Sequence, residues 1–459
     1  MEQQALASRL LGGTPEQVKR AFRIAWPAVL ESFFIALAGL IDSLMVSALG
    51  PAAVAAVGLT TQPKFISLCL FMALNVAVSA LVARRKGQQD RDGANQVLLM
   101  ALMFTLVMGL VLGAVCILLA PDIMRLVGSN PDTHDNAVIY FRIVVGGMIF
   151  AVVSLILNAA QRGSGNTKIA MRTNVASSLV NILFNWLLIE GNLGFPAWGM
   201  TGAALATVGG TVVACGMSIA SICDRHSFVN LHWMRERRIR PGAENGKSML
   251  RMTASCFCEQ ILMRIGFLFT ALLAADLSTG DFAAHQVGMN FLALSFSFAD
   301  GMQVAAISLV GQSLGAGEPE LARRYGRVCQ HMGVFISITL AAVFLTQGGN
   351  IYRLYFEEPE IIAQGVTIMR IMSVITLLQI SAIIYTSCLR AGGDVAYVTA
   401  VSTVSATIVR SAVCWLLCVA AGWGLPGLWL GISSDQTCRL IGGSVRFLFT
   451  EVSITPPHN

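Results

Sequence analysis

Asp42 stands in the stretch "FFIALAGLIDSLMVSALG" (residues 33–50), where the nearest charged residue is Glu31, eleven positions back. A charge at the centre of a membrane helix costs roughly 2.5–3.5 kcal/mol even on a mild insertion scale, so a carboxylate here needs a chemical reason. Other polar side chains fall at a compatible depth, counted at about 1.5 Å per helical residue. Asn181 and Asn185 lie roughly 14 and 20 Å beyond Arg172 on their segment, one turn apart on one face. Thr207 lies roughly 12 Å in from the outer end of the next segment. One carboxylate, two amide oxygens and a hydroxyl suit a hard cation such as Na⁺, or a proton on the carboxylate. Hydrogen bonding between neighbouring membrane helices is the plainer use of the same Asn and Thr residues.

These residues need membrane helices to position them. The chain has 459 residues, 55% hydrophobic and 12% charged, with a mean hydropathy of +0.69. Soluble domains carry roughly 25% charged residues, so an integral membrane protein is expected. A spanning helix needs about 20 mostly apolar residues. Twelve such segments lie near 22–49, 52–82, 95–119, 137–160, 169–190, 198–222, 248–275, 280–310, 321–346, 361–388, 395–421 and 425–449. The longest polar segment, 223–247, follows the sixth, which predicts an N-lobe over 1–222, a linker over 223–247 and a C-lobe over 248–459. The eleven cysteines sit mainly in apolar runs, with neither disulfide-framework nor zinc spacing. Residues 1–20 are polar and show no signal-peptide cleavage pattern.

Basic residues set the orientation. Arg84, Arg85, Lys86, Arg91, Arg162, Lys168, Arg172, the arginines of the linker, Arg323, Arg324, Arg327 and Arg390 fall in one set of loops. The alternate loops hold Arg125 and Arg353. The rich loops and both termini are therefore expected on the cytoplasmic side of an inner membrane. Their charge accounts for the net +6 and suits anionic lipid, and no nucleic-acid motif is present.

The sequence repeats. "QRGSGNT" (161–167) overlies "LRAGGDV" (389–395) at an offset of 228, which also puts Glu31 over Glu259 and Arg142 over Arg370. "NWLLI" pairs with "CWLLC" at 229, which puts Arg410 where the first half has Asn181. Six spans on each side of the linker give parallel repeats, predicting two six-helix lobes related by a pseudo-twofold axis along the membrane normal, as in two-lobed transporters. The position equivalent to Asp42 lies near the uncharged Thr270, which confines the cation site to one lobe.

Further charges fall inside the spans. Arg142 and Arg370 are near enough to an outer end to snorkel, Lys64 lies near the outer interface, and Asp435 and Arg439 are spaced to pair on one helix. Glu31, Glu259, Arg264, Asp300 and Arg410 remain. Asp300 lies roughly 16 Å in from Gly311 and is a candidate second acid of the C-lobe. Since buried charges are normally paired, Arg264 and Arg410 are expected to pair with Glu259 and Asp300. The alternative is that cargo or protons compete for those pairs, or that cargo carries negative charge.

"PAVLE", "IDSLMVSALG", "LVGQSLGAG" and "QRGSGNT" together resemble the motifs of the multidrug and toxic compound extrusion (MATE) transporters over nearly the whole chain. The resemblance implies an all-α exporter, without cofactor, in which a Na⁺ or H⁺ gradient drives efflux of small amphipathic organic cations. It implies that Asp42 binds the coupling cation with Asn181, Asn185, Thr207 and the backbone carbonyl of Ala203. It further implies that Glu259 takes part in protonation or cationic cargo, and that Pro27 permits the first span to bend. Glu31 and Gln379 are further cavity candidates, Gln379 standing on the span where some relatives carry an aspartate. The chain departs from the pattern at Asp300, Arg264 and Arg410. A lipid-linked oligosaccharide flippase of the same superfamily is the second class retained. The absence of an ATP-binding loop, metal cluster or nucleophile–base arrangement argues against an enzyme. A monomer is expected, with lipid its surroundings.

Overall fold

The computed structural model describes residues 12–189 and 191–449. Among the described residues twelve spans are present, one of them a bent pair. Six lie in the first half of the chain, built from eight helices: α1 (Pro15–Ser47), α2 (Pro51–Gly87), α3 (Arg91–Leu118), a short α4 (Ala120–Leu126), then α5 (Pro131–Gly146) with α6 (Met148–Gly163), α7 (Thr167–Ile189) and α8 (Gly199–Cys223). A short α9 (Leu231–Glu236) precedes α10 (Ala243–Ala275), α11 (Thr279–Gly315), α12 (Pro319–Arg353), α13 (Pro359–Ala391), α14 (Val395–Ala420) and α15 (Gly424–Phe449). Among the described residues no strand is present. Helix α5 bends into α6 by 43° to form one broken span. The bend falls at Gly146–Gly147, where a side chain on Gly147 would strike Val208 of α8.

By length and composition, nine single helices and this bent pair suffice to cross a membrane. Helices α7 and α15 fall short because polar residues dilute them: Asn174, Asn181 and Asn185 in one, Asp435, Gln436 and Arg439 in the other. The helices that least resemble membrane spans are those that carry the polar clusters.

Starts and stops follow local chemistry. Proline stands in the first turn of α2, α5, α12 and α13, where its missing N–H costs nothing. Asp90 caps α3 by accepting from the Gly93 N–H at 2.8 Å. The repeated "QRGSG" and "LRAGG" segments are matching helix stops. Gly165 (φ 90°) and Gly393 (φ 92°) take the left-handed conformation, and their N–H groups return to the carbonyls of Arg162 and Arg390. The motif thereby fixes where each arginine leaves its helix.

The chain forms two compact units, Leu30–Phe257 and residues 12–29 with 258–449. Their boundaries fall inside α1 and α10, 228 residues apart, so the N-terminal ends of these two helices are exchanged relative to a division at the polar segment. That segment is itself folded onto the first unit. Lys86 lies over the Phe228 ring at 3.9 Å, Arg91 stacks on Trp233 at 4.2 Å, and Arg91 donates to the Ser227 and Phe228 carbonyls. In the first unit one apolar cluster joins Leu74, Leu98 and Ile156, and another joins Val46, Phe141 and Ala203. The second unit has its own clusters, around Met302, Ile384 and Phe447 and around Met372, Leu428 and Trp429.

Candidate functional site

In the first unit α1, α7 and α8 bring the predicted polar residues together. Asn185 is fully buried and donates from Nδ2 to Asp42 Oδ1 at 2.5 Å. Its own Oδ1 is buried with no hydrogen-bond partner, which leaves one amide oxygen beside the carboxylate. Thr207 donates to the Ala203 carbonyl at 3.1 Å, and Asn181 donates to Thr207 at 3.4 Å. Asn181 and Asn185 share a face of α7, as their four-residue spacing requires. Two groups beyond the sequence expectation join them. The buried Tyr140 of α5 lies against Thr207, and Lys64 of α2 lies within electrostatic reach of Asp42. A lone tyrosine in the aliphatic run "VIYFRIVV" was the available signal for the first. Lys64 was read as an interfacial residue because its depth along α2 does not reveal which way the helix turns it.

The donor set is one carboxylate, two amides, a hydroxyl and a carbonyl. Among the described residues no three of His, Cys, Asp and Glu converge as metal ligands. Oxygen-rich and singly charged, the set fits a hard monovalent cation better than a borderline metal that favours nitrogen and sulfur.

The Glu31 and Glu259 carboxylates lie apart from this set, one in each unit: Glu31 accepts from Arg162 Nη1 at 2.7 Å and from Asn174 at 2.5 Å, while Arg162 Nη2 reaches Asn75 at 3.0 Å. Glu259 accepts from Arg390 at 2.6 and 2.7 Å. Arg162 and Arg390 were expected among the loop residues that set orientation, yet both are committed to buried carboxylates. The expected partner of Arg410 also changes. Arg410, fully buried, pairs with Asp435, and Arg439 donates from Nε to the other oxygen of Asp435 at 2.9 Å. Asp435 faces Arg410 from the consecutive antiparallel helix α15, while Glu259 of α10 is already taken by Arg390. Arg264 is half-buried on α10 and Asp300 is exposed on α11. Gln379 is fully buried on α13, and its amide atoms have no hydrogen-bond partner. Pro27 is buried inside α1, two residues before the helix passes from one unit to the other.

The MatE family profile matches this chain twice, at residues 27–187 and 256–416, so the two matches begin 229 residues apart. The chain belongs to the MatE family. As a MATE transporter it is similar to the probable multidrug resistance protein NorM of Thermotoga maritima, with 23% identity over 95% of this chain and 92% of the relative. The NorM protein of Pseudomonas putida is 25% identical over 94% of each chain. A solved outward-facing multidrug resistance MATE transporter of the MOP superfamily aligns with a TM-score of 0.87 and 23% identity, over 96% of each chain. The fold of this MATE transporter, twelve spans in two lobes, is the one its repeat predicts.

Proposed function

We propose that this chain is a multidrug exporter of the inner membrane, driven by inward movement of Na⁺ or H⁺ and acting on amphipathic organic cations as a monomer. The observation that carries the reading is the Asp42–Asn185 pair, in which a carboxylate and an unpartnered buried amide oxygen stand side by side within the membrane. A monovalent cation entering there takes the amide oxygen, the carboxylate, the Asn181 amide and the Thr207 hydroxyl, with the Ala203 carbonyl behind them. These five groups come from α1, α7 and α8, so an occupied site draws those helices together. A cation shifts the conformational equilibrium only by its difference in affinity for the two states.

Pro27 gives α1 a place to respond. Its ring removes one backbone hydrogen bond from the helix, so α1 bends there at lower cost than elsewhere. Ion occupancy at Asp42 and bending near Pro27 thus act on the same helix. Glu259, Gln379 and Asp300 supply polar groups for cargo in the second unit, with both chain termini on the cytoplasmic side.

The test is efflux of a fluorescent organic cation from vesicles, with Na⁺ and H⁺ gradients imposed separately. Wild-type protein responds to at least one gradient, and Asp42→Asn loses that response while keeping its fold. Full gradient-driven efflux by Asp42→Asn would sink the assignment.

A further inference from the structure

The repeat places a second site opposite in sign to the first. Position 270 corresponds to Asp42, and position 414 to Asn185, at offsets of 228 and 229. In the second unit these are Thr270 and Cys414, and they still lie side by side. Thr270 has turned its hydroxyl to the Gly266 carbonyl of its own helix at 2.8 Å. Beside them the position of Asn181 is taken by Arg410. The acid is gone and a cation has entered.

Arg410 is not neutralised one-for-one. Asp435 is shared between Arg410 and Arg439, so two guanidinium groups face one carboxylate and the cluster carries a net single positive charge. One face of Arg410 stacks on Phe267, its carbon Cζ 4.1 Å from the ring centroid. After these contacts Nε and Nη1 of Arg410 and Nη2 of Arg439 are buried with no hydrogen-bond partner, as is the Ser405 hydroxyl. Arg410 is fully buried and Arg439 is 6% exposed. Both arginines lie roughly 15–23 Å from the ends of their helices, in the central layer of the membrane. Leaving three guanidinium nitrogens of two buried arginines without a partner is expensive, because a charged group loses more than a neutral one when a partner is withheld. A second observation points the same way. Arg410 stands between two π-helical stretches, Val404–Val409 and Leu416–Ala420, and such widened turns are frequent at functional sites.

We infer that Arg410 and Arg439, bridged by Asp435, form an anion site in the second unit that takes a carboxylate. Guanidinium donors match carboxylate oxygens in geometry and charge. The carboxylate is that of a small free acid or the acidic end of a zwitterionic cargo, and the chemistry at the arginines is the same for both. This inference is independent of ion coupling at Asp42 and survives its failure.

The experiment uses purified full-length protein in detergent at constant ionic strength. Potassium benzoate and the zwitterion 4-(aminomethyl)benzoate are titrated, and thermal unfolding is followed. Wild type is expected to gain stability with at least one of them, and the effective probe identifies the source of the carboxylate. Arg410→Gln keeps the Asp435–Arg439 pair and is neutral, so it is expected to fold and to need at least about tenfold more probe. Asp435→Asn removes the internal competitor, so it is expected to need about tenfold less, or to fold only when the probe is present. A wild type indifferent to both probes, or an Arg410→Gln protein with the wild-type response, overturns the proposal.

Discussion

Arg390 grips Glu259 at 2.6 Å, and each partner lies 228 residues beyond its counterpart in the Arg162–Glu31 pair. Duplication has kept an ion pair as well as a fold: in both halves a carboxylate on the entry helix meets the arginine at the helix stop. Removing one member of a buried pair strands the other, at about 3–5 kcal/mol. Removing both leaves no uncompensated charge. Arg390→Gln is therefore expected to unfold at a markedly lower temperature, and the Glu259→Gln/Arg390→Gln double variant to recover part of that loss. Thermal unfolding of the two single variants and the double variant measures this, and simply additive losses would contradict the pairing.

The Asp42–Asn185 contact predicts a change in ion dependence with little change in fold. Asn185→Ala deletes the buried amide oxygen and the hydrogen bond to Asp42, while α7 keeps a good helix former. The cation concentration giving half-maximal efflux is expected to rise about tenfold, the cost of one charge-assisted contact. Ion titration of vesicle transport checks it, and an unchanged midpoint would remove Asn185 from the ion's ligands.

The spans, the repeat and the Asp42–Asn181–Asn185–Thr207 set were legible in the sequence because each rests on spacing along a helix. Depth and face follow from 1.5 Å and 100° per residue once a helix is recognised. Partners across helices do not follow from spacing. Arg162 and Arg390 were hidden by their position next to a glycine stop, which looks like a loop whether the side chain faces water or turns back on a carboxylate. The Arg410–Asp435 pair was hidden because the i,i+4 pair Asp435–Arg439 already offered a local explanation, and nothing in sequence says that one carboxylate serves two arginines. The exchange of helix ends at Val29 and Phe257 leaves no mark in hydropathy, since both sides of each boundary are equally apolar.

Lys64 predicts an opposite effect at the same site. Its ammonium lies within electrostatic reach of Asp42 and opposes entry of another positive charge. Lys64→Gln keeps the length and polarity of the side chain and removes the charge. Tighter binding of the coupling ion is expected, so half-maximal efflux should come at a lower ion concentration than in wild type. A midpoint that rises instead would mean that Lys64 holds Asp42 in its working position.

Gly301 governs how closely α11 approaches α1. A Cβ at this position would come within 2.6 Å of the Val29 Cα and 2.7 Å of its N, backbone atoms that cannot rotate away. Val29 lies two residues past Pro27, so the crowding falls where α1 is least well tied by its own hydrogen bonds. Gly301→Ala must push the helices apart, at about 1–3 kcal/mol. Transport is expected to fall more than protein abundance, because the displaced segment leads into Asp42. Gly58 of α2 is the control: a Cβ there meets nothing within 4 Å, so Gly58→Ala should keep wild-type transport and lose no stability. Comparing efflux per folded molecule for the two variants isolates the close approach, and equal behaviour would show that α1 tolerates the shift.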